Sequence, residues 1–232
     1  MKTFYSKEQI VLMCEEAAKD MKSFYKQNFI NYRGKTEKGQ WYTELVAEWL
    51  LNHMGKFCEI QQIDRKHNYK TPTHDGEINR ETNRKEEITA KKLFKTNTVF
   101  EGFGRIIDYQ TPLKNTKGDN GLGKIDLLSV NNRTRCVYIL ELKTKDSKDT
   151  MLHCVLEAYT YSRIVSQKKL FEDFKIEKDY ELKASPLVYV GGVQYNEFFE
   201  KKNERKMLHE LMKKLDTTPF FLDENVTYQI KQ

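Results

Sequence analysis

Two apolar runs, Lys124 to Val130 (KIDLLSV) and Arg135 to Lys143 (RCVYILELK), meet around Asn131-Asn132, and no other feature restricts the fold of this chain as much. Runs of this length, rich in branched residues and joined by turn formers, predict an antiparallel hairpin. Upstream, Arg105 to Gln110 (RIIDYQ) reads as a strand stopped near Pro112, and Lys114 to Gly123 (KNTKGDNGLG) as a loop rich in glycine and lysine. Downstream, Ser147 or Asp149 can cap a helix running to about Val165, and Leu187 to Val193 (LVYVGGV) suits a buried strand. Strand, helix and buried strand in succession imply a right-handed parallel crossover. The expected fold class is therefore α/β: a small mixed sheet with one hairpin and one parallel crossover strand, flanked by helices.

The amino-terminal third reads differently. Ser6 and Gln9 form a capping box ahead of an apolar stripe at Ile10, Cys14, Ala17, Met21 and Phe24, which predicts a helix of roughly five turns. A second stripe at Tyr42, Leu45, Val46, Trp49 and Leu50 ends at Gly55. Lys56 to Thr82 is a long polar loop, the place where substrate-specific contacts would be sought. Asn83 and Glu86 stand at capping-box spacing before Ile88, Ala90, Leu93 and Phe94, which make a third helix. The division expected is an amino-terminal helical segment and loop over 1–82, and a core over 83–232 that ends in a helix at Leu208 to Leu215 and an edge strand at Val226 to Ile230. Lys201 to Lys206 (KKNERK) is expected to be a solvated helix face, and Trp41, Tyr42 and Trp49 to belong to the core.

Composition removes several classes. With 40 Lys+Arg against 34 Asp+Glu the formal charge is +6, which permits an anionic partner without demanding one. No apolar run approaches the roughly 18 residues of a membrane span, and Met1 to Ile10 lacks a signal-peptide core, so a cytoplasmic protein with no membrane partner is expected. The 4 cysteines include no C-x-x-C pair, and no zincin, P-loop or serine-hydrolase motif occurs.

Chemistry concentrates at the end of the hairpin. Val137, Ile139, Glu141 and Lys143 share one parity, so two charges project from an otherwise apolar face. If Asn132 and Arg133 make a two-residue turn, Asp126 pairs with Ile139 and lies roughly 5 to 7 Å from Glu141 on the same face. Carboxylates that close repel each other unless a cation separates them, and a neighbouring lysine relieves only part of that repulsion. Oxygen ligands of this kind suit Mg²⁺, with Mn²⁺ expected to substitute. Lys143 would then orient, and help to deprotonate, a water attacking a phosphodiester.

Ile125-Asp126, a hairpin, Glu141-Leu142-Lys143 and a following helix resemble the PD-(D/E)XK nuclease superfamily, without its proline. The resemblance covers roughly residues 83–193. It implies a restriction-endonuclease-like core in which Asp126, Glu141 and the backbone carbonyl of Leu142 hold the metal and Lys143 serves the attacking water. Glu87, at E-x-x-A-x-x-L spacing with Ala90 and Leu93, resembles the acid on the preceding helix, whereas Glu86 is assigned to the capping box. His153, Glu157 and Tyr161 form one helical stripe. Within it Glu157 and Tyr161 match the Gln-x-x-x-Tyr of RecB-type members with Glu in place of Gln, while His153 is expected to be packed or solvated rather than a ligand. Lys114, Lys117, Lys145 and Lys148 are the expected phosphate contacts. The function these residues imply is Mg²⁺-dependent hydrolysis of DNA, with RNA and a homodimer left open. The competing class is an inactive nucleic-acid-binding or scaffolding protein that retains the fold.

Overall fold

The computed structural model describes residues 4–77, 84–115, 122–199 and 202–223. Ser6 accepts from the Gln9 amide and Gln9 accepts in return from the Ser6 amide, so the capping box opens helix α1 (Lys7–Ala17) as the sequence predicts. The expected five-turn helix is broken, however. At Asp20 the backbone leaves helical geometry (φ −135°, ψ 85°), and Ala18–Lys26 continues as a 3-10 run that buries Met21, Phe24 and Tyr25. Helix α2 (Tyr42–Asn52) follows, then a 3-10 turn at Met54–Glu59, and the next helix is α3 (Lys85–Lys95).

The strands are β1 (Val99–Phe100), β2 (Gly104–Pro112), β3 (Lys124–Asn131), β4 (Cys136–Lys143), β5 (Glu181–Tyr189) and β6 (Phe220–Leu222). They form one sheet in chain order, antiparallel through β4 and parallel from β4 to β6. The helices α4 (Met151–Ile164) and α5 (Gln167–Phe174) join β4 to β5, while α6 (Val193–Phe198) and α7 (Lys206–Lys214) join β5 to β6. The sheet therefore has two parallel crossovers where one was expected. The short strand at Phe220–Leu222 is not legible in the sequence because three apolar residues carry no periodicity. The expected edge strand at Val226 to Ile230 lies outside the described residues.

The hairpin register also differs from the two-residue-turn expectation. Asn131 pairs with Cys136 and Leu128 with Ile139, leaving a four-residue turn that ends at Arg135 with φ 53°. Asn131 causes this, because its Oδ1 accepts from the Arg133 and Thr134 amides and builds an Asx turn. A shift of two keeps every side chain on its expected face, and it moves Asp126 from beside Ile139 to the position facing Glu141.

One sheet face, with Leu128, Val137, Ile139, Val188 and Phe221, packs on α4 and on the amino-terminal helices in a continuous hydrophobic cluster. The other face, with Tyr109, Leu127, Leu140, Leu142 and Leu187, packs on Ala90 and Leu93 of α3. The long loop is laid over β2, where Gly76 donates to the Tyr109 hydroxyl and His74 Nδ1 lies 2.6 Å from the buried Asp108. Arg205 is not part of a solvated face. It is buried, donates to Thr43 and stacks over Trp41, whose ring is only partly covered, whereas Tyr42 and Trp49 lie in the core. Among the described residues no helix is long and apolar enough to cross a membrane.

Gly104 starts β2 at φ +79°, and a Cβ there would lie 2.1 Å from the Val130 carbonyl oxygen. Gly104→Ala should cost about 2 kcal/mol or more, from overpacking and left-handed strain combined, measured by urea unfolding. A loss under about 0.5 kcal/mol, the scale of an ordinary surface change, would mean that β2 and β3 separate there at little cost.

Candidate active site

Burial of the β4 end is what assembles the site. Glu141 and Lys143 leave the sheet on the face covered by α4, and each is only 4% exposed. The Lys143 ammonium lies 2.6 Å from Glu141 Oε1, 3.4 Å from Glu157 Oε2, 3.5 Å from Asp149 Oδ2 and 3.8 Å from Glu86 Oε1. Asp126 completes the group from β3, where its Oδ2 accepts from the Leu142 amide at 3.0 Å and its Oδ1 from Gln110 Nε2 at 2.9 Å. Gln110 reaches it from a left-handed position (φ 48°) late in β2.

The start of α4 is held just as closely. Thr150, rather than Ser147 or Asp149, is its N-cap and accepts from the His153 amide. Asn31 accepts from the Thr150 amide and donates to Asp149 Oδ1, while Glu197 accepts from the Met151 amide. Asp149 thereby has no capping duty and turns its Oδ2 to Lys143. About two and three turns later, Glu157 and Tyr161 face the same point, and Tyr161 donates to Glu157 Oε1 at 2.9 Å. His153 Nδ1 sits 3.6 Å from Asp149 without a hydrogen bond, and burial pushes the imidazole down toward its neutral form, in keeping with a packed histidine.

The helix acid is the main departure from expectation. Helix α3 begins at Lys85 with Arg84 as an N-cap whose side chain makes no capping hydrogen bond, so Glu86 has no capping role among the described residues; Asn83 lies outside them. Glu86 points to Lys143, while Glu87, one residue or about 100° further round, pairs with Lys91 at 3.0 Å and lines an adjoining cavity with Glu86, Gln110 and Asp126. The cleft itself is a cavity of about 440 Å³ lined by Glu86, Gln110, Asp126, Glu141, Lys143, Glu157 and Tyr161, with Arg84, Lys114 and Lys124 among its cationic residues. Of the expected lysines, Lys114 lines it. Lys145 and Lys148 are exposed on the segment after β4 and outside the lining, and Lys117 lies outside the described residues. Arg84, Lys124, Gln110 and Asp149 were not anticipated, because nothing in their spacing marks them and only the sheet register and helix starts bring them here.

The electrostatics are those of an acid-rich site. Burial, then the charges of Glu86 and Glu157, push the Asp126 carboxyl up to about 7 against the pull of Lys143 and the Leu142 amide. Burial and the charge of Asp126 hold Glu141 well above the carboxylate range. Glu157 is desolvated too, yet Lys143 and hydrogen bonds from Glu141 and Tyr161 keep it below its ordinary value. Burial alone would strip Lys143 of its proton, but Glu141 and Glu157 outweigh it and keep the ammonium charged. Five carboxyl groups thus surround one lysine.

Among the described residues no three His, Cys, Asp or Glu side chains converge as a ready-made metal cage. The donor set nevertheless fits a hard divalent ion. It is all oxygen, it holds more carboxyl groups than Lys143 can pair, and burial raises its two strand carboxyls, Asp126 and Glu141, a cost that a cation would offset. No family model matches the chain, and neither the curated proteins nor the solved structures include a match.

The raised Asp126 carboxyl makes stability depend on pH. In the unfolded chain this group ionises near 3.9, so between about pH 4 and 7 the folded protein keeps a proton that the unfolded one has lost. Stability therefore falls as pH rises through that window and levels off above it. Asp126→Asn removes the titration, and its amide can still bond both neighbours once Gln110 flips. In EDTA, urea melts should find Asp126→Asn more stable than wild type above pH 7, by on the order of 2–4 kcal/mol, with the gap closing toward pH 4. Parallel pH profiles would mean that Asp126 ionises normally.

Proposed function

We propose that the protein is a Mg²⁺-dependent nuclease of the PD-(D/E)XK type that hydrolyses DNA phosphodiester bonds. One observation carries the reading: Asp126 and Glu141 from paired strands, Lys143 two residues on, and an acid from the preceding helix meet at one cleft. Asp126 and Glu141 are the residues that would hold the metal, which when bound supplies Lewis-acid activation of the phosphodiester.

The side chains define the remaining roles. Lys143 keeps its proton among the carboxylates, so it serves as a donor that orients the attacking water or steadies charge on the phosphoryl oxygens. Of the two parts expected from sequence, orienting the water and helping to deprotonate it, Lys143 keeps the first. The proton leaving the water goes to a carboxylate, and Glu86 is best placed for this, since its side chain is 38% exposed at the cleft and burial raises its carboxyl above the ordinary range. Arg84, Lys114 and Lys124 supply positive charge for the flanking phosphates.

The test is incubation of purified protein with circular and linear DNA in Mg²⁺, Mn²⁺ or EDTA. Cleavage with either metal and none in EDTA is expected, while DNA binding without cleavage would select the inactive-protein reading. Lys143→Ala and Glu86→Gln should each slow turnover by roughly 10²-fold, whereas Glu87→Gln should leave it within about 2-fold. Equal losses for the two glutamates would remove Glu86 from its role.

Binding should weaken with salt. Replacing Arg84, Lys114 and Lys124 with Ala should flatten the log-log salt slope by about 0.9 for each phosphate that is no longer neutralised, read by fluorescence anisotropy in EDTA. An unchanged slope would put the substrate path elsewhere.

A further inference from the structure

The amino-terminal segment reaches the site through a side chain outside the residues assigned above. The kink at Asp20 redirects the 3-10 run onto α4, and Tyr25 arrives 4% exposed with its ring edge-on to Tyr161, the centroids 5.8 Å apart. Its hydroxyl donates to the Tyr161 oxygen at 3.2 Å. The direction of this bond is forced: Glu157 can only accept, so Tyr161 gives its single proton to Glu157 and can only accept from Tyr25. From Glu157 the chain continues to Lys143 at 3.4 Å and from there to Glu141 at 2.6 Å. Gly123 packs on the other side, where a Cβ would lie 2.1 Å from the Tyr161 hydroxyl, so the absence of a side chain makes room for that group.

We propose that Tyr25 is a positioning residue, which fixes Tyr161 and Glu157 so that Lys143 is held at the geometry its reaction requires. The consequence for catalysis rests on the nuclease reading; the positioning itself does not. Without the Tyr25 proton, the Tyr161 oxygen is a buried acceptor left unsatisfied, and the Glu157 carboxylate loses the polarised donor that restrains it. The amino-terminal helices are then part of the active site.

Tyr25→Phe keeps the ring and removes the donor. Turnover is expected to fall about 5-fold, the scale of one neutral hydrogen bond, with KM for DNA and the half-saturating Mn²⁺ concentration unchanged. The double variant Tyr25→Phe/Tyr161→Phe should be no slower than Tyr161→Phe alone, because both act through one chain of bonds. Additive losses, or undiminished turnover in Tyr25→Phe, would overturn the proposal. A readout independent of cleavage is the side-chain resonance of Lys143 in ¹⁵N-lysine-labelled protein, assigned by its loss in Lys143→Ala. Tyr25→Phe should shift it, and 3-fluorotyrosine at position 25, a stronger donor of nearly the same shape, should shift it as well, which keeps the test decisive if the Phe variant does not fold. An unmoved resonance sinks the positioning role whatever the activity. A moved resonance in a protein that cuts no DNA would overturn the nuclease reading alone.

Discussion

A buried ammonium ringed by carboxylates is the constraint on which this structure turns. Lys143 stands at the end of β4 where a strand of Val137, Ile139 and Leu140 has run through the core, and the fold surrounds it with acids from three directions. Burying one charge is tolerable only with partners, and here those partners belong to α3, to the start and middle of α4, and to β4 itself. The start of α4 is consequently held by dedicated bonds, with Thr150 as its cap and Asn31 and Glu197 on its first amides.

The surplus of acid has a direction. Lys143 and hydrogen bonds from Glu141 and Tyr161 hold Glu157 below its ordinary value, whereas burial raises Asp126 and Glu141, the two carboxyls on paired strands. Such a site resists ionisation on its own, and in the proposed nuclease a bound metal would offset the burial and repulsion that raise these carboxyls. Burial of these acids costs local stability, as the pH response of Asp126 makes measurable.

Much of this was legible in the chain, and the failures are instructive. The Ser6–Gln9 capping box, the hairpin strands and the β4–α4–β5 crossover follow from local pattern, because short-range hydrogen bonding and side-chain alternation are properties of neighbours in sequence. The error of two in the hairpin register came from the Asn131 side chain, which prefers an Asx turn to the shortest loop, and parity rescued the site because a shift of two preserves faces. Glu86 was misplaced relative to Glu87 because the start of α3 was set one residue early, and on a helix one residue is about 100° of rotation.

Sequence alone determined that Glu141 and Lys143 would share one face, since strand alternation allows nothing else, and that a helix bearing Glu157 and Tyr161 would follow; Asp126 joins that face only in a register of the observed parity. Tertiary structure decided which groups reach Lys143 from outside that motif. Asp149 is turned inward by Asn31, Glu86 by the entry of α3, and Tyr25 by a kink at Asp20 far from the sheet in sequence. Arg205 shows the same division: its run looks like solvated surface until Thr43 and Trp41 fold over it. Local pattern specifies the direction in which a side chain leaves its own element. What it meets there depends on contacts between residues distant in the chain, which only the packed core brings together.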